Sequence, residues 1–161
     1  MDVVEHRGVF LGAMGELCQM CNVYSGDSMD EVTLPLLTEG QKRVVLFVQD
    51  ESIFHTNDSI LLSWLVVNET YIKPKSTGQS QHVSAFTCDE SHGFMKAFIN
   101  EQWKTSYKII TPGKNSDGYW TNGDLVKQLE DIDELVKHLH PDCEIVYLFD
   151  NSQNHHARSN D

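Results

Sequence analysis

An α/β domain is what this sequence predicts, on three observations. Two apolar runs, Arg43–Gln49 (RVVLFVQ) and Ile145–Phe149 (IVYLF), are each followed at once by an aspartate, Asp50 and Asp150. Between them, Leu125–Leu139 carries apolar residues at the three-and-four spacing of an amphipathic helix. Two further strand candidates, Leu61–Val67 (LLSWLVV) and His82–Cys88 (HVSAFTC), follow the first run over short links, as antiparallel neighbours do.

In chain order, residues 1–41 show no clear period. They hold Cys18-x-x-Cys21, the small and acidic Ser25–Gly26–Asp27, and a Pro35 that breaks an apolar run. They are expected to form a helical or irregular lead-in. Arg43–Gln49 is continuously apolar between polar ends, the mark of a strand buried on both faces. Leu61–Val67 and His82–Cys88 complete a three-stranded meander, with Pro74 and Gly78 marking the turn between them. Thr111–Gly118 (TPGKNSDG) is a loop.

Thr121, three residues before Asp124, has the spacing of a helix cap. Leu125, Val126, Leu129, Ile132, Leu135, Val136 and Leu139 then form one apolar stripe, and Pro141 stands just past the end. A helical crossover can place the next strand, Ile145–Phe149, parallel to an earlier one. The order strand, strand, strand, helix, strand opens a ribonuclease H-like fold. Later helices and a further strand are expected after Phe149, so the fold is expected to be incomplete.

Composition narrows the function. With 161 residues the chain can bury one domain's core. Its net charge of −12 excludes the basic footprint of a chain that grips nucleic acid unaided, while leaving carboxylates for a metal. The cysteines Cys18, Cys21, Cys88 and Cys143 do not suggest a disulfide framework. No run approaches the ~20 apolar residues of a membrane span, and no secretory leader is recognisable. Asn57–Ser59 and Asn68–Thr70 are then chance matches to the glycosylation pattern.

If the strands ending at Asp50 and Asp150 are parallel neighbours, both carboxylates face the carboxyl end of one sheet, where open α/β sheets place ligands. Two adjacent carboxylates repel, and a divalent cation relieves the repulsion; hard oxygen donors suit Mg2+ or Mn2+. A pair of such ions serves phosphodiester displacement. The bland alternative is that each aspartate only caps a turn, as Asp150–Asn151–Ser152 could. Alternation points Glu51 away from Asp50, so Glu51 is expected to be exposed. An aspartyl-phosphate site would need a second acid two residues on, where Ser52 and Ser152 stand. Gly113–Lys114 lacks the rest of a phosphate-cradling loop. Cys18 and Cys21 with His155 and His156 make a poor zinc set, because adjacent histidines hardly bind one ion.

Four blocks carry a family resemblance: Gln49–Asp58 (QDESIFHTND), Ile72–Phe86 (IKPKSTGQSQHVSAF), Gly113–Asn122 (GKNSDGYWTN) and Leu148–Ser152 (LFDNS). In order and spacing they resemble the DDE-type transposases, in the DDE superfamily endonuclease group related to mariner elements. The resemblance covers roughly residues 42–161, leaving 1–41 unmatched.

It implies a ribonuclease H-like catalytic domain, of which 42–161 is the N-terminal part, that cleaves and joins DNA with Mg2+ on three acids. Asp50 matches the first acid and Asp150 the second; both are the expected catalytic and metal-binding residues. The third, on a later helix, has no counterpart, and Asp161 is too close to Asp150 to replace it. Asn151 and His55 are secondary candidates for the same pocket. The implied partner is DNA, held weakly by so acidic a chain, in the nucleus, with no membrane association. Catalysis by this chain alone is not expected. Two other readings stand: a non-catalytic protein that self-associates or pairs with a full-length transposase through an open sheet edge, or an inert relic.

Overall fold

The computed structural model describes residues 2–58, 67, 76–88, 90 and 94–150. Two helices and eight strands occur among them. They are α1 (Val3–Cys18), β1 (Val23–Ser25), β2 (Glu31–Thr33), β3 (Val44–His55), β4 (Ser80–Thr87), β5 (Lys96–Ile99), β6 (Gln102–Thr105), β7 (Tyr107–Ile110), α2 (Asn122–Leu139) and β8 (Glu144–Leu148). The centre is a four-stranded mixed sheet in the order β7-β4-β3-β8. β4 is antiparallel to both β3 and β7, and β8 is parallel to β3.

Among the described residues β3, β4 and β7 form three successive antiparallel neighbours. Leu61–Val67 falls, apart from Val67, outside the described residues. The strand paired with β3 is β4, which matches His82–Cys88, and the third strand is β7. Four residues of β7 (YKII) are too few for a readable alternation. Between β4 and β7 lies a β5–β6 hairpin, also unforeseen. Its turn places Asn100 and Glu101 at φ of 49° and 63°, without the glycine that usually announces such a turn. Residues 1–41, expected to be helical or irregular, hold α1 and a β1–β2 hairpin.

α2 forms where its cap and stripe put it. Thr121 Oγ1 accepts from the Asp124 N–H (3.3 Å), and the Asp124 carboxylate accepts from the Thr121 N–H (3.0 Å), a reciprocal cap. The Thr121 hydrogen bond holds the Asp124 carboxyl below its ordinary range. Lys137 and His138 in the last turn complement the negative end of the helix. Leu125, Gln128, Ile132, Leu135 and Val136 are buried. Val126 and Leu139, expected on the inner stripe, lie at its flanks and remain exposed.

α2 covers one face of the sheet. Val45, Phe47 and Phe86 pack there with Met95, Leu125, Ile132, Leu135 and Val136. Lys104 of β6 reaches Asp131 (3.3 Å) and Glu134, and Lys108 of β7 reaches Asp131 (2.9 Å). These ammonium groups outweigh partial burial and keep the Asp131 carboxyl below its usual range. Among the described residues the opposite face is covered at its start. There Val44 N–H donates to Met20 O (2.9 Å), and residues from Cys18 to Met29 surround a cavity that reaches Leu46.

Candidate functional site

β3 alternates between these two faces. Val45, Phe47, Gln49 and Glu51 are its odd positions, on the α2 side; Leu46, Val48 and Asp50 are the even ones. Exposure on the even side rises from buried Val44 through half-buried Leu46 to exposed Val48 and Asp50. The strand does not stop at Asp50, as the apolar run suggested. Eight pairs with β4, from Val48↔Thr87 to His55↔Ser80, keep it extended through the polar residues. Asp50 pairs with Ala85 in that ladder, and its Oδ1 accepts from the Glu51 N–H at 2.8 Å.

β8 runs beside β3 in a register that begins at Val44↔Glu144 and ends at Val48↔Leu148. Asp50 and Asp150 both stand two residues beyond that last pair, at the same level on neighbouring chain segments. Both are exposed. Phe149 fixes the approach to Asp150 by an edge contact with buried Phe86, ring centroids 5.9 Å apart. Parallel neighbours lie about 4.8 Å apart within such a ladder, which here ends two residues before both aspartates.

Carboxylates are the hard oxygen donors that Mg2+ or Mn2+ takes. Among the described residues no group of three or more His, Cys, Asp or Glu side chains could hold a metal ion. Asn151, His155, His156 and Asp161 lie outside the described residues. His55 does not join Asp50. It is five residues further along β3, roughly 16 Å at strand rise, and on the odd-numbered side. Its backbone N–H donates to Asp58 Oδ2 (3.0 Å), closing the turn that ends the strand.

Glu51 corrects the sequence expectation more sharply. Rather than exposed, its side chain is only 19% accessible. Oε1 accepts from Trp120 Nε1–H at 3.0 Å, and Oε2 lies 3.8 Å from His82 Nε2. The His82 and Trp120 rings stack at 5.5 Å. Alternation correctly gave the side; it could not reveal that the Pro112–Trp120 loop returns over it.

A second inward polar group went unnoticed in the sequence. Gln49 Nε2 donates to Ser84 Oγ (3.1 Å), Ser84 Oγ donates to Gln128 Oε1 (2.7 Å), and Gln128 Nε2 donates to Ser84 O (3.0 Å). All three residues are at most 2% exposed. This chain stitches β3, β4 and α2 together one residue before Asp50. A glutamine inside an apolar strand, paired with one on the helix stripe, was the available signal. Nearby, burial, reinforced by the Asp133 carboxylate, pushes the Tyr147 phenol up to about 12.

No family model matches the sequence, and no curated protein matches it. Solved structures do resemble it. The mariner Mos1 paired end complex with Mg is 16% identical over 71% of this chain and 31% of that chain, with a TM-score of 0.48. The Mos1 strand transfer complex is 16% identical over 73% of this chain and 30% of its own, TM-score 0.43. A pre-cleavage Mos1 transpososome is 14% identical over 73% and 32%, TM-score 0.44. The chain thus spans about a third of the length of the solved chains it matches.

Proposed function

We propose that this chain is part of a ribonuclease H-like catalytic domain of a DDE-type, mariner-related transposase. Its ancestral reaction is Mg2+- or Mn2+-dependent cleavage and transfer of DNA strands in the nucleus. The observation that carries the reading is the parallel β3–β8 register, which sets Asp50 level with Asp150. The element order β3, β4, β7, α2, β8, with the last strand parallel to the first, supports the fold assignment. So do the four sequence blocks shared with that family.

In this reading Asp50 and Asp150 would be the residues that hold a divalent ion, which would supply charge stabilisation for a reacting DNA phosphate. Phe149 packs edge-on to Phe86, and the Gln49–Ser84–Gln128 chain ties β3 to β4 and α2 just before Asp50. The two carboxylates are the ligands this reading assigns among the described residues, and a net charge of −12 disfavours DNA binding by this chain unaided.

Calorimetric titration with Mn2+ tests the pair. Binding is expected in the native chain and lost in both Asp50→Asn and Asp150→Asn; binding indifferent to both substitutions removes the assignment. A second reading rests on β8, which ends the four-stranded sheet with no described partner on its outer side. As an interaction protein, the chain would pair through that edge with a full-length transposase or with itself. Light scattering that shows a monomer at all concentrations removes the self-pairing form.

A further inference from the structure

On the odd side of β3, past the end of the apolar core, Glu51, Ile53, His82, Pro112, Tyr119 and Trp120 line a cavity of about 330 Å3. Its polar groups are incompletely satisfied. Trp120 Nε1–H donates to Glu51 Oε1, while among the described residues Oε2 lies beside His82 Nε2 at 3.8 Å, beyond hydrogen-bond length. His82 is 8% exposed, and its Nε2 is buried with no hydrogen-bond partner. Among the described residues no lysine or arginine lines the cavity. A largely buried carboxylate without a cation carries a desolvation cost that a bound cation would relieve.

The complement Glu51 Oε2 takes is a positively charged donor, since a carboxylate oxygen only accepts. The walls decide which cation. Trp120, Tyr119 and His82 offer aromatic surface, and Ile53 and Pro112 offer apolar surface for an aliphatic stem. A planar guanidinium fits such walls better than a compact, strongly hydrated ammonium, because it stacks on aromatic rings and spreads its donors in a fork. The formal charge of −12 favours encounter with a basic partner.

We propose that this cavity binds an arginine side chain presented by a basic polypeptide. The site is separate from Asp50 and Asp150, which belong to the even side of β3 and its parallel neighbour, and the proposal does not depend on their role.

The test follows the Trp120 indole N–H by NMR in the full 15N-labelled chain, with that signal assigned through Trp120→Phe. N-acetyl-arginine methylamide should shift the resonance saturably. The lysine analogue should bind at least about tenfold more weakly, and the uncharged citrulline analogue not at all. Glu51→Gln should abolish the response while leaving the spectrum dispersed. No saturable shift, an equal response to citrulline, or an arginine response that survives in Glu51→Gln overturns the proposal. If Glu51→Gln does not fold, the arginine–citrulline comparison on the native chain decides by the same criteria.

Discussion

The two faces of β3 are built from alternate residues of one strand, yet they have opposite characters. On the odd side Val45, Phe47 and Gln49 are almost fully buried beneath α2. On the even side burial fades from Val44 to Asp50, because the N-terminal segment reaches only as far as Leu46. One face therefore carries stability, and the other leaves a carboxylate in the open beside the end of β8. A strand whose position is fixed from one side can present an exposed acid on the other without losing its register.

The largest expected effect lies on the covered side. Phe47→Ala removes a fully buried ring from the core and should destabilise the fold by about 3–5 kcal/mol, read as a lower urea midpoint. Val48→Ala, one residue away on the half-open face, should cost no more than about 1 kcal/mol. Equal losses would break the contrast between the faces. Next in size, Gln128→Ala removes the acceptor of the buried Ser84 hydroxyl and a donor to the Ser84 carbonyl. It should cost about 1–3 kcal/mol in the same measurement, whereas Gln128→Glu tests whether the amide donor is the needed half.

A smaller effect concerns pH. His140, at the end of α2, packs edge-on to Phe47 and faces Glu90 at 3.5 Å, with Arg43 paired to the same carboxylate. Burial and the Arg43 charge together outweigh Glu90 and hold the imidazole below its ordinary value of 6.5. The unfolded chain thus takes up this proton before the folded one does. His140 costs no stability well above pH 6.5 and destabilises the fold as pH falls through that value toward the lowered one. Urea midpoints at pH 7.5 and 5.5 should differ more in the native chain than in His140→Asn; an equal difference in both would remove His140 from the account.

Legibility in the sequence follows the same division. β3, α2 and β8 were readable because burial on a face imposes a period: a continuous apolar run, a stripe with a reciprocal cap, and a second run. β7 and the β5–β6 hairpin were not, since four-residue strands carry too little pattern and Asn100–Glu101 lacks a glycine. α1 shows the limit from the other side. It is rich in Val, Leu and Phe but has no one-sided stripe, and none of its residues is buried. Of the candidate site, Asp50 and Asp150 were visible as acids following apolar runs. Glu51 was misjudged because its surroundings come from Trp120 and His82, 69 and 31 residues away.

The central claim is that Asp50 and Asp150 form one metal-binding pair across β3 and β8. Paramagnetic broadening by substoichiometric Mn2+ in the 15N spectrum tests it most directly, because the effect reports proximity to the ion. Broadening should concentrate at Gln49–Glu51, Ala85 and Phe149–Asp150, and should vanish in both Asp50→Asn and Asp150→Asn, each of which should leave stability within about 0.5 kcal/mol of the native chain. Broadening centred elsewhere, or retained at Asp150 when Asp50 is replaced, would contradict the pair.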